Sequence, residues 1–208
     1  MEVSVAEPKT YEPAPPEPGA PETGEQLYQR FRSGDNSAFE DLVALYEDEM
    51  SRFIYGIIRD SYEVEHLVID TFTQLILNKK GFEGKSTLKT YIFGIAKNLT
   101  SQRVRELSKE QHISFDEIAE LSISDGETIQ NILEKEDART RLNGAMRELK
   151  SEYHAVLTLL YFEDMSYAEA GKAMRKSEKQ IKDLAYRAKA ALKKKLEQID
   201  EAEKNGQK

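Results

Sequence analysis

Residues 63–70 form the first group in this sequence whose types and spacing could perform chemistry. Glu63-Val64-Glu65-His66, with Asp70 one turn further on, matches the E-x-x-H spacing of helical di-iron sites. Such a site needs a second copy and further carboxylates, but neither His112 nor His154 has a glutamate three residues before it. The sequence therefore predicts a surface histidine at position 66, no metal site and no cofactor.

A second group, Gly81-Phe82-Glu83-Gly84-Lys85-Ser86, ends like a phosphate-binding loop. Two residues separate its glycines where such loops need four, and a helix rather than a strand is predicted before it. Serine, histidine and aspartate occur elsewhere, but no strand-turn-helix context for an acyl-transfer nucleophile accompanies them. We therefore find no catalytic constellation and expect a protein that is not an enzyme.

The most informative stretch is 165–196, which contains two helix-capping boxes. In Ser166-Tyr167-Ala168-Glu169 and Ser177-Glu178-Lys179-Gln180, side chains three residues apart can satisfy the first amides of a helix. The first helix can run only to about Met174 before Arg175-Lys176 turns the chain, and the second can be longer. A short helix, a tight turn and a longer helix are the geometry of a helix-turn-helix.

The second of these helices has one apolar and one polar face. Ile181, Leu184 and Ala188 cluster inward at 100° per residue, and the opposite face could enter a major groove. There, cations neutralise phosphates and polar side chains read base edges. The candidate contacts are Ser177, Lys179, Gln180, Lys182, Asp183, Tyr186 and Arg187. A merely solvated lysine-rich helix is the alternative, but the paired caps and the short preceding helix favour DNA binding.

Helices must position these groups, and the sequence predicts an all-α protein of two small bundles. No proline occurs after residue 24, and apolar residues recur at three- and four-residue steps. The first bundle comprises helices at about 37–59, 62–78 and 87–107, and the inward stripe predicted for the second of them ends at Ile76. The predicted domains are a disordered Pro/Glu-rich tail at 1–24, a helical domain at 25–107, an acidic flexible linker at 108–130, a helix-turn-helix domain at 131–197 and a C-terminal tail at 198–208.

Charge is strongly segregated along the chain, although the net charge is −8. Residues 71–105 hold seven bases and one acid, and residues 166–196 hold ten bases and three acids. Between them, residues 106–137 hold ten acids and two bases. Two basic patches separated by an acidic connector indicate local contact with a polyanion despite the negative total.

Composition also bounds the compartment and the redox chemistry. The chain has no cysteine, which rules out disulfides and thiolate metal sites. It contains no run of eighteen apolar residues, and residues 1–24 carry proline and glutamate instead of a basic and then an apolar segment. We expect a cytoplasmic protein without membrane insertion.

Further segments occur in the order and spacing of one protein family. In the first domain they are Ala38-Phe39-Glu40, the run from Val64 to Phe72, Phe82, Tyr91-Ile92 and the run from Ile95 to Leu99; in the second they are the run from Leu159 to Tyr167 and Tyr186-Arg187-Ala188. Together they resemble regions 2 and 4 of the extracytoplasmic-function (ECF) group of the sigma-70 family. The likeness extends over nearly everything from Asp35 to Leu196.

The resemblance implies an alternative sigma factor, which binds core RNA polymerase and directs promoter recognition and opening. Polymerase binding would carry over to Glu65, His66, Asp70 and Thr71. Capture of the minus-10 element would carry over to Lys85, Ser86, Thr87, Lys89, Tyr91, Lys97, Asn98 and Arg103, and the outward face of the helix-turn-helix would hold the minus-35 element. The implied partners are core RNA polymerase, through its clamp and flap, promoter DNA and an anti-sigma factor.

Several positions depart from the family pattern. His66 stands where an acid is usual, and Arg175-Lys176 replaces a common pair of glycine and an apolar residue. Ala170 and Ala185 replace larger aliphatic residues, which predicts looser packing in the second domain. On the reading helix, Asp183 is unfavourable near phosphates unless it accepts from cytosine.

Two other functions remain open from the sequence. The chain could be an independent helix-turn-helix regulator whose first bundle dimerises or senses a ligand; it would bind duplex DNA without polymerase. It could also be a degenerate sigma homologue that acts as an interaction adaptor. The acidic linker likewise has two interpretations, a mimic of the transcript inside polymerase or a tether kept extended by its charge.

Overall fold

The computed structural model describes residues 21–110 and 133–206. Within these ranges every regular element is an α-helix, which confirms the predicted all-α fold. The helices are α1 (Gly24–Arg32), α2 (Ser37–Ile58), α3 (Ser61–Leu77), α4 (Leu88–Glu110), α5 (Leu133–Arg147), α6 (Ser151–Tyr161), α7 (Tyr167–Met174) and α8 (Glu178–Gly206). No helix in the described part of the chain has the length and apolar character to span a membrane.

Helix α1 begins inside the range predicted as a disordered tail. Thr23 caps it, because its hydroxyl accepts from the Gln26 amide and the Gln26 side chain accepts from the Thr23 amide. A Cβ on Gly24 would overlap the Tyr46 hydroxyl, so the helix start packs closely on α2. Helix α1 therefore starts one residue before the predicted domain boundary at 25, and residues 1–20 lie outside the described residues.

The first bundle comprises α1 to α4. Asp60 starts α3 by accepting from the amides of Tyr62 and Glu63 at 2.9 and 3.1 Å. The core contains fully buried Leu42, Met50, Phe53, Ile54, Leu75, Leu88, Ile92 and Phe93. Ile76, predicted to point inward, is instead 40% exposed, because Leu75 fills the inward position at the end of α3.

The second bundle comprises α5 to α8 and contains the predicted helix-turn-helix. Ser166 and Glu169 form the capping box of α7. Arg175 ends α7 in the left-handed conformation, with φ of 55°, a position that favours glycine. Ala170 and Ala185 are both buried in the core.

Two boundaries of the predicted domains differ from the ends of helices. Residues 108–110 belong to α4, and the rest of the acidic linker predicted at 108–130 lies outside the described residues up to 132. Helix α8 continues to Gly206, well past position 197, because 197–204 contains neither glycine nor proline and is rich in helix-forming side chains.

The two bundles pack on each other and share one hydrophobic core, although the sequence suggests separate units on a flexible tether. Helix α4 lies against α7, and α2 lies against α6. A Cβ on Gly56 of α2 would overlap the imidazole of His154 on α6, so the helices meet closely there. Arg59 Nη2 donates to the Leu149 carbonyl at 2.9 Å and Ser151 Oγ to that of Ile57 at 3.2 Å. We call this packing the closed arrangement.

Candidate nucleic-acid interfaces

The exposed face of α8 is the first candidate surface. Ser177 and Gln180 start the helix as the predicted capping box, with amide-to-side-chain distances of 2.8 and 3.2 Å. Ile181, Leu184 and Ala188 are buried, which fixes the helix against the rest of the second bundle. The opposite face is consequently open to solvent.

On this open face, four predicted contacts lie together on the solvent side: Lys179, Asp183, Tyr186 and Arg187. Tyr186 is 75% exposed, and Arg187 Nε donates to the Asp183 carbonyl at 3.4 Å. Lys182 pairs with Glu178 at 2.6 Å, but both side chains are more than half exposed. Exposed pairs contribute little stability, so Lys182 can exchange this partner for a phosphate. Ser177 Oγ and Gln180 Oε1 are used in the cap.

The second candidate surface is α4 with the loop before it, where the sequence places the minus-10 contacts. Lys85 is exposed and pairs with Glu83, while the Lys85 carbonyl accepts from Lys172 of the second bundle. Thr87 caps α4, since its hydroxyl accepts from the Thr90 amide at 3.2 Å. Ser86 Oγ donates to the Thr87 carbonyl at 3.2 Å. This loop thus ends against the other bundle.

Lys89 lies in a group of charges between the bundles. Its Nζ is 2.9 Å from Glu49 Oε2 and 2.8 Å from Glu163 Oε2, the latter at an angle outside hydrogen-bonding geometry. The Glu163 side chain is only 3% exposed, so burial raises its pKa while Lys89 acts in the opposite direction. Burial opposes the charge of Lys89, but its ion pairs with Glu163 and Glu49 prevail and raise its pKa. Lys89 therefore holds the bundles together and is not open to DNA in the closed arrangement.

The remaining predicted contacts on α4 fall into two groups. Lys97 and Asn98 are half-buried, Lys97 in a cleft that Lys150 of the second bundle also lines, and Tyr91 packs on Phe82 with ring centroids 5.5 Å apart. Burial lowers the pKa of Lys97, and nearby cations add to this effect. Arg103, by contrast, makes two bonds to the Glu63 carboxylate, of 2.7 and 2.6 Å. That pair joins α3 to α4 and gives Arg103 a structural role.

The exposed face of α3 is the third candidate surface, where the sequence places polymerase contacts. Glu65, His66 and Asp70 are exposed on it, but Thr71 is fully buried and donates to the Leu67 carbonyl at 2.7 Å. Three exposed apolar side chains that the sequence reasoning missed occur at seven-residue spacing on the same helix: Tyr62, Ile69 and Ile76. For Tyr62 and Ile69 the signal was an apolar residue outside the predicted inward stripe, whereas Ile76 was assigned to that stripe.

The groups weighed for enzymatic chemistry do not converge. Glu63 is paired with Arg103, whereas Glu65 and His66 face outward. Among the side chains that the structure describes, no three histidine or acidic groups come close enough to hold a metal ion. Two residues after the Gly81–Ser86 loop, at the start of α4, the Leu88 amide donates to Glu25 Oε1 at 2.7 Å and is thus already satisfied by a carboxylate.

Comparison with known sequences supports the family resemblance. The family described as "Sigma-70, region 4" matches residues 139–192. The chain is similar to the ECF RNA polymerase sigma factor SigM of Bacillus subtilis (strain 168), with 29% identity over 74% of this chain and 92% of the relative. It is also similar to the ECF RNA polymerase sigma factor SigW of the same organism, with 22% identity over 82% of this chain and 95% of that protein.

Two solved structures share the fold. One is the sigma factor RpoE of Bartonella quintana in complex with the anti-sigma factor NepR, with a TM-score of 0.58 and 22% identity over 76% of this chain and 96% of that one. The other is CnrH in complex with the cytosolic domain of CnrY, with a TM-score of 0.57 and 21% identity over 82% of this chain and 95% of that one.

Proposed function

We propose that the chain is an alternative sigma factor of the ECF group of the sigma-70 family, whose members it resembles over most of its length. It binds core RNA polymerase and directs the recognition and opening of promoters. The observation that carries this proposal is the pairing of an open helix-turn-helix face on α8 with a second basic surface on α4, in one chain with the family's order of motifs.

We propose that α8 holds the minus-35 element in the major groove. Lys179, Lys182 and Arg187 supply positive charge for phosphates, while Tyr186 and Asp183 lie where they can contact base edges. Because Asp183 is an acceptor, it favours cytosine, whose N4 amine donates in the major groove.

Capture of the minus-10 element is assigned to α4 and the loop before it. Single-stranded DNA can be held by cations that follow the backbone and by stacked or pocketed bases, each stacked base contributing about 1–3 kcal/mol. Lys85, Lys97, Asn98 and Tyr91 supply these groups. Promoter opening then draws on binding free energy, without hydrolysis, so the proposed function is not enzymatic.

This assignment requires the bundles to separate. In the closed arrangement Lys89 is paired across the interface and Lys97 is half-buried at it, so DNA cannot reach them fully. The exposed face of α3, with apolar Tyr62 and Ile69 beside Glu65 and Asp70, offers a docking surface for the polymerase clamp while the bundles are still closed. Binding to polymerase at clamp and flap can then hold the bundles apart.

Cytoplasmic action follows from the proposed partner, because core RNA polymerase works there. The two structural neighbours are each in a complex, and the first is bound to an anti-sigma factor. We propose a partner of that class for this chain as well.

Run-off transcription with purified core polymerase on genomic fragments, including the chain's own upstream region, tests the function. We expect discrete transcripts that require the chain. Replacing Lys182 and Arg187 by glutamine should reduce them and lower the salt dependence of duplex binding by about two in slope, since two phosphate contacts are lost. The matched control replaces Lys193 and Lys194, which lie outside the proposed face. A chain that binds no polymerase subunit would refute the proposal.

A further inference from the structure

A cleft of about 430 Å³ lies between α4 and the start of α6, where the two bundles meet. Lys97 and Arg105 line it from α4, and Lys150, the residue before α6, lines it from the second bundle. We call it the basic cleft. Its volume is within the range of sites for small molecules, about 300–1,000 Å³.

The charge of the basic cleft is one-sided. The acid in its lining is Glu152, and that carboxylate pairs with Lys176 at 2.9 Å. Neither Lys97 nor Arg105 has an ion-pair partner within the described part of the chain. Burial lowers the pKa of Lys97, and the positive charges of Lys176 and Arg105 act in the same direction, while Glu152 opposes them. The closed arrangement therefore gathers positive charge that a bound anion would offset.

The start of α6 adds to this potential. Lys150 is its N-cap and makes no side-chain bond to the first amides, and the acid of the first turn, Glu152, is paired with Lys176. This helix end lies beside the cations of the cleft and, like them, favours a negatively charged ligand.

The floor of the basic cleft is apolar, in contrast to its rim. Ile57, Val104, Ala155 and Met174 form it, and they come from both bundles. Ser101 and Ser151 also line the cleft, and Ser151 Oγ already donates to the Ile57 carbonyl. Such a lining suits a ligand with phosphates at one end and a flat, largely apolar group at the other. A continuous nucleic-acid strand fits less well, because it would have to part the bundles that form the floor.

We propose that the basic cleft binds a nucleoside diphosphate, with its phosphates between Lys97, Arg105 and Lys150 and its base on the apolar floor. Guanidinium and ammonium groups both bind phosphate oxygens by charge-assisted hydrogen bonds. Because these cations come from both bundles, the bound ligand holds the closed arrangement together. The inference goes beyond the proposed function, since it requires neither polymerase nor promoter DNA.

Isothermal titration of the full chain with ADP, inorganic pyrophosphate and adenosine tests this proposal. We expect saturable binding of one ADP, weaker binding of pyrophosphate and none of adenosine. The variant Arg105→Gln/Lys150→Gln removes one cation from each bundle and avoids the proposed minus-10 contacts; we expect it to weaken ADP binding at least about tenfold. Lys193→Gln/Lys194→Gln is the control of equal charge and should bind ADP like the unaltered chain.

Ser101→Trp is a second variant, which fills the cleft without changing its charge and should abolish ADP binding. Circular dichroism of each variant establishes that it is folded. Absent ADP binding, unchanged binding in Arg105→Gln/Lys150→Gln, or equal affinity for pyrophosphate and ADP would overturn the proposal. The proposal would also be overturned if a single-stranded oligothymidylate displaced ADP and if its own binding depended on Arg105 and Lys150. The cleft would then be a nucleic-acid contact. Each result is independent of run-off transcription.

Discussion

The basic surface of α4 and the basic face of α8 carry the same kinds of side chain but differ in what covers them. On α8 the cations are exposed, and Lys182 has only a surface partner. On α4, Lys89 is paired with nearly buried Glu163 of the other bundle. Charge patterning along the sequence therefore predicts where a polyanion can bind, whereas long-range packing decides whether that surface is open.

The cations of α4 also differ from one another in whether their surroundings belong to the first bundle alone or to the interface between the bundles. Arg103 is held by Glu63 inside the first bundle, while Lys89 and Lys97 lie at the interface between bundles. Separation of the bundles would expose Lys89 and Lys97 and leave Arg103 unchanged. A single basic patch in the sequence thus contains one structural residue and two whose exposure depends on the closed arrangement.

The largest expected effect tests the structural role of Arg103. Arg103→Gln removes the partner of Glu63, whose side chain is 12% exposed, and should lower the free energy of unfolding by about 2–3 kcal/mol. Urea unfolding measures this change. Arg105→Gln, two residues further on and exposed, is the control, with an expected change below about 0.5 kcal/mol. Equal stability of the two variants would contradict a structural role for Arg103 and would leave it a candidate DNA contact.

Lowering the pH should destabilise the interface between the two bundles, because His154 is buried there. Burial against α2 lowers its pKa to about 4, with Arg59 adding to the effect, whereas an exposed imidazole titrates near 6.5. The opened or unfolded chain therefore binds a proton first as the pH falls below about 6.5. Between pH 7 and 5 the folded, closed state should lose about 2 kcal/mol of stability.

Urea unfolding at the two pH values, compared between the unaltered chain and His154→Gln, isolates this effect. Glu163, whose raised pKa stabilises the closed state at lower pH, contributes equally to both proteins and cancels. His66, exposed on α3, supplies the control His66→Gln, which should keep the pH dependence. Identical pH profiles for His154→Gln and the unaltered chain would contradict a buried imidazole at the interface.

Opening the interface directly is expected to have a smaller effect. Gly56→Ala places a Cβ against the His154 imidazole, and overpacking of this kind costs about 1–3 kcal/mol. The free chain should then bind a single-stranded minus-10 oligonucleotide about tenfold more tightly, which corresponds to 1.4 kcal/mol. Fluorescence anisotropy measures the affinity.

Gly94→Ala on α4 is the matched control, because its Cβ would lie at an ordinary 3.6 Å from Ala173 Cα. Both substitutions favour the helix by the same amount, so only the contact differs. If both variants bind the oligonucleotide alike, closure does not restrict access to α4.

The smallest effect concerns the turn before the open face. Arg175 has φ of 55°, and a side chain in this left-handed conformation costs about 1 kcal/mol relative to glycine. Arg175→Gly should therefore raise the free energy of unfolding by about 1 kcal/mol and leave α8 in place. Arg59 has the same conformation but also donates to Leu149, so Arg59→Gly should bring no gain. Thermal unfolding of both variants checks the difference.

Local features were predictable because they depend on neighbours in sequence. Apolar periodicity placed α2 and α3, and capping boxes placed α7 and the start of α8, within one or two residues. The open face of α8 followed from the same periodicity. The box at Thr23 and Gln26 carried the same signal and was overlooked.

Long-range features were not predictable, since no local pattern encodes them. Glu63 and Arg103 are 40 residues apart in sequence, and nothing near either one identifies the other as its partner. The fit of His154 onto Gly56 likewise depends on how two bundles dock. Thr71, predicted to bind polymerase, is buried because its methyl-bearing side chain completes the inward face of α3.

The most direct test of whether the closed arrangement covers the α4 surface is to measure the distance between the bundles. It is measured in the free chain and in the complex with core polymerase. The chain has no cysteine, so exposed Glu47 on α2 and Lys194 on α8 can each be replaced by cysteine and labelled with a fluorophore pair. Energy transfer should be high in the free chain and fall when core polymerase is added. Unchanged transfer in a complex that transcribes from a promoter would contradict the proposed opening.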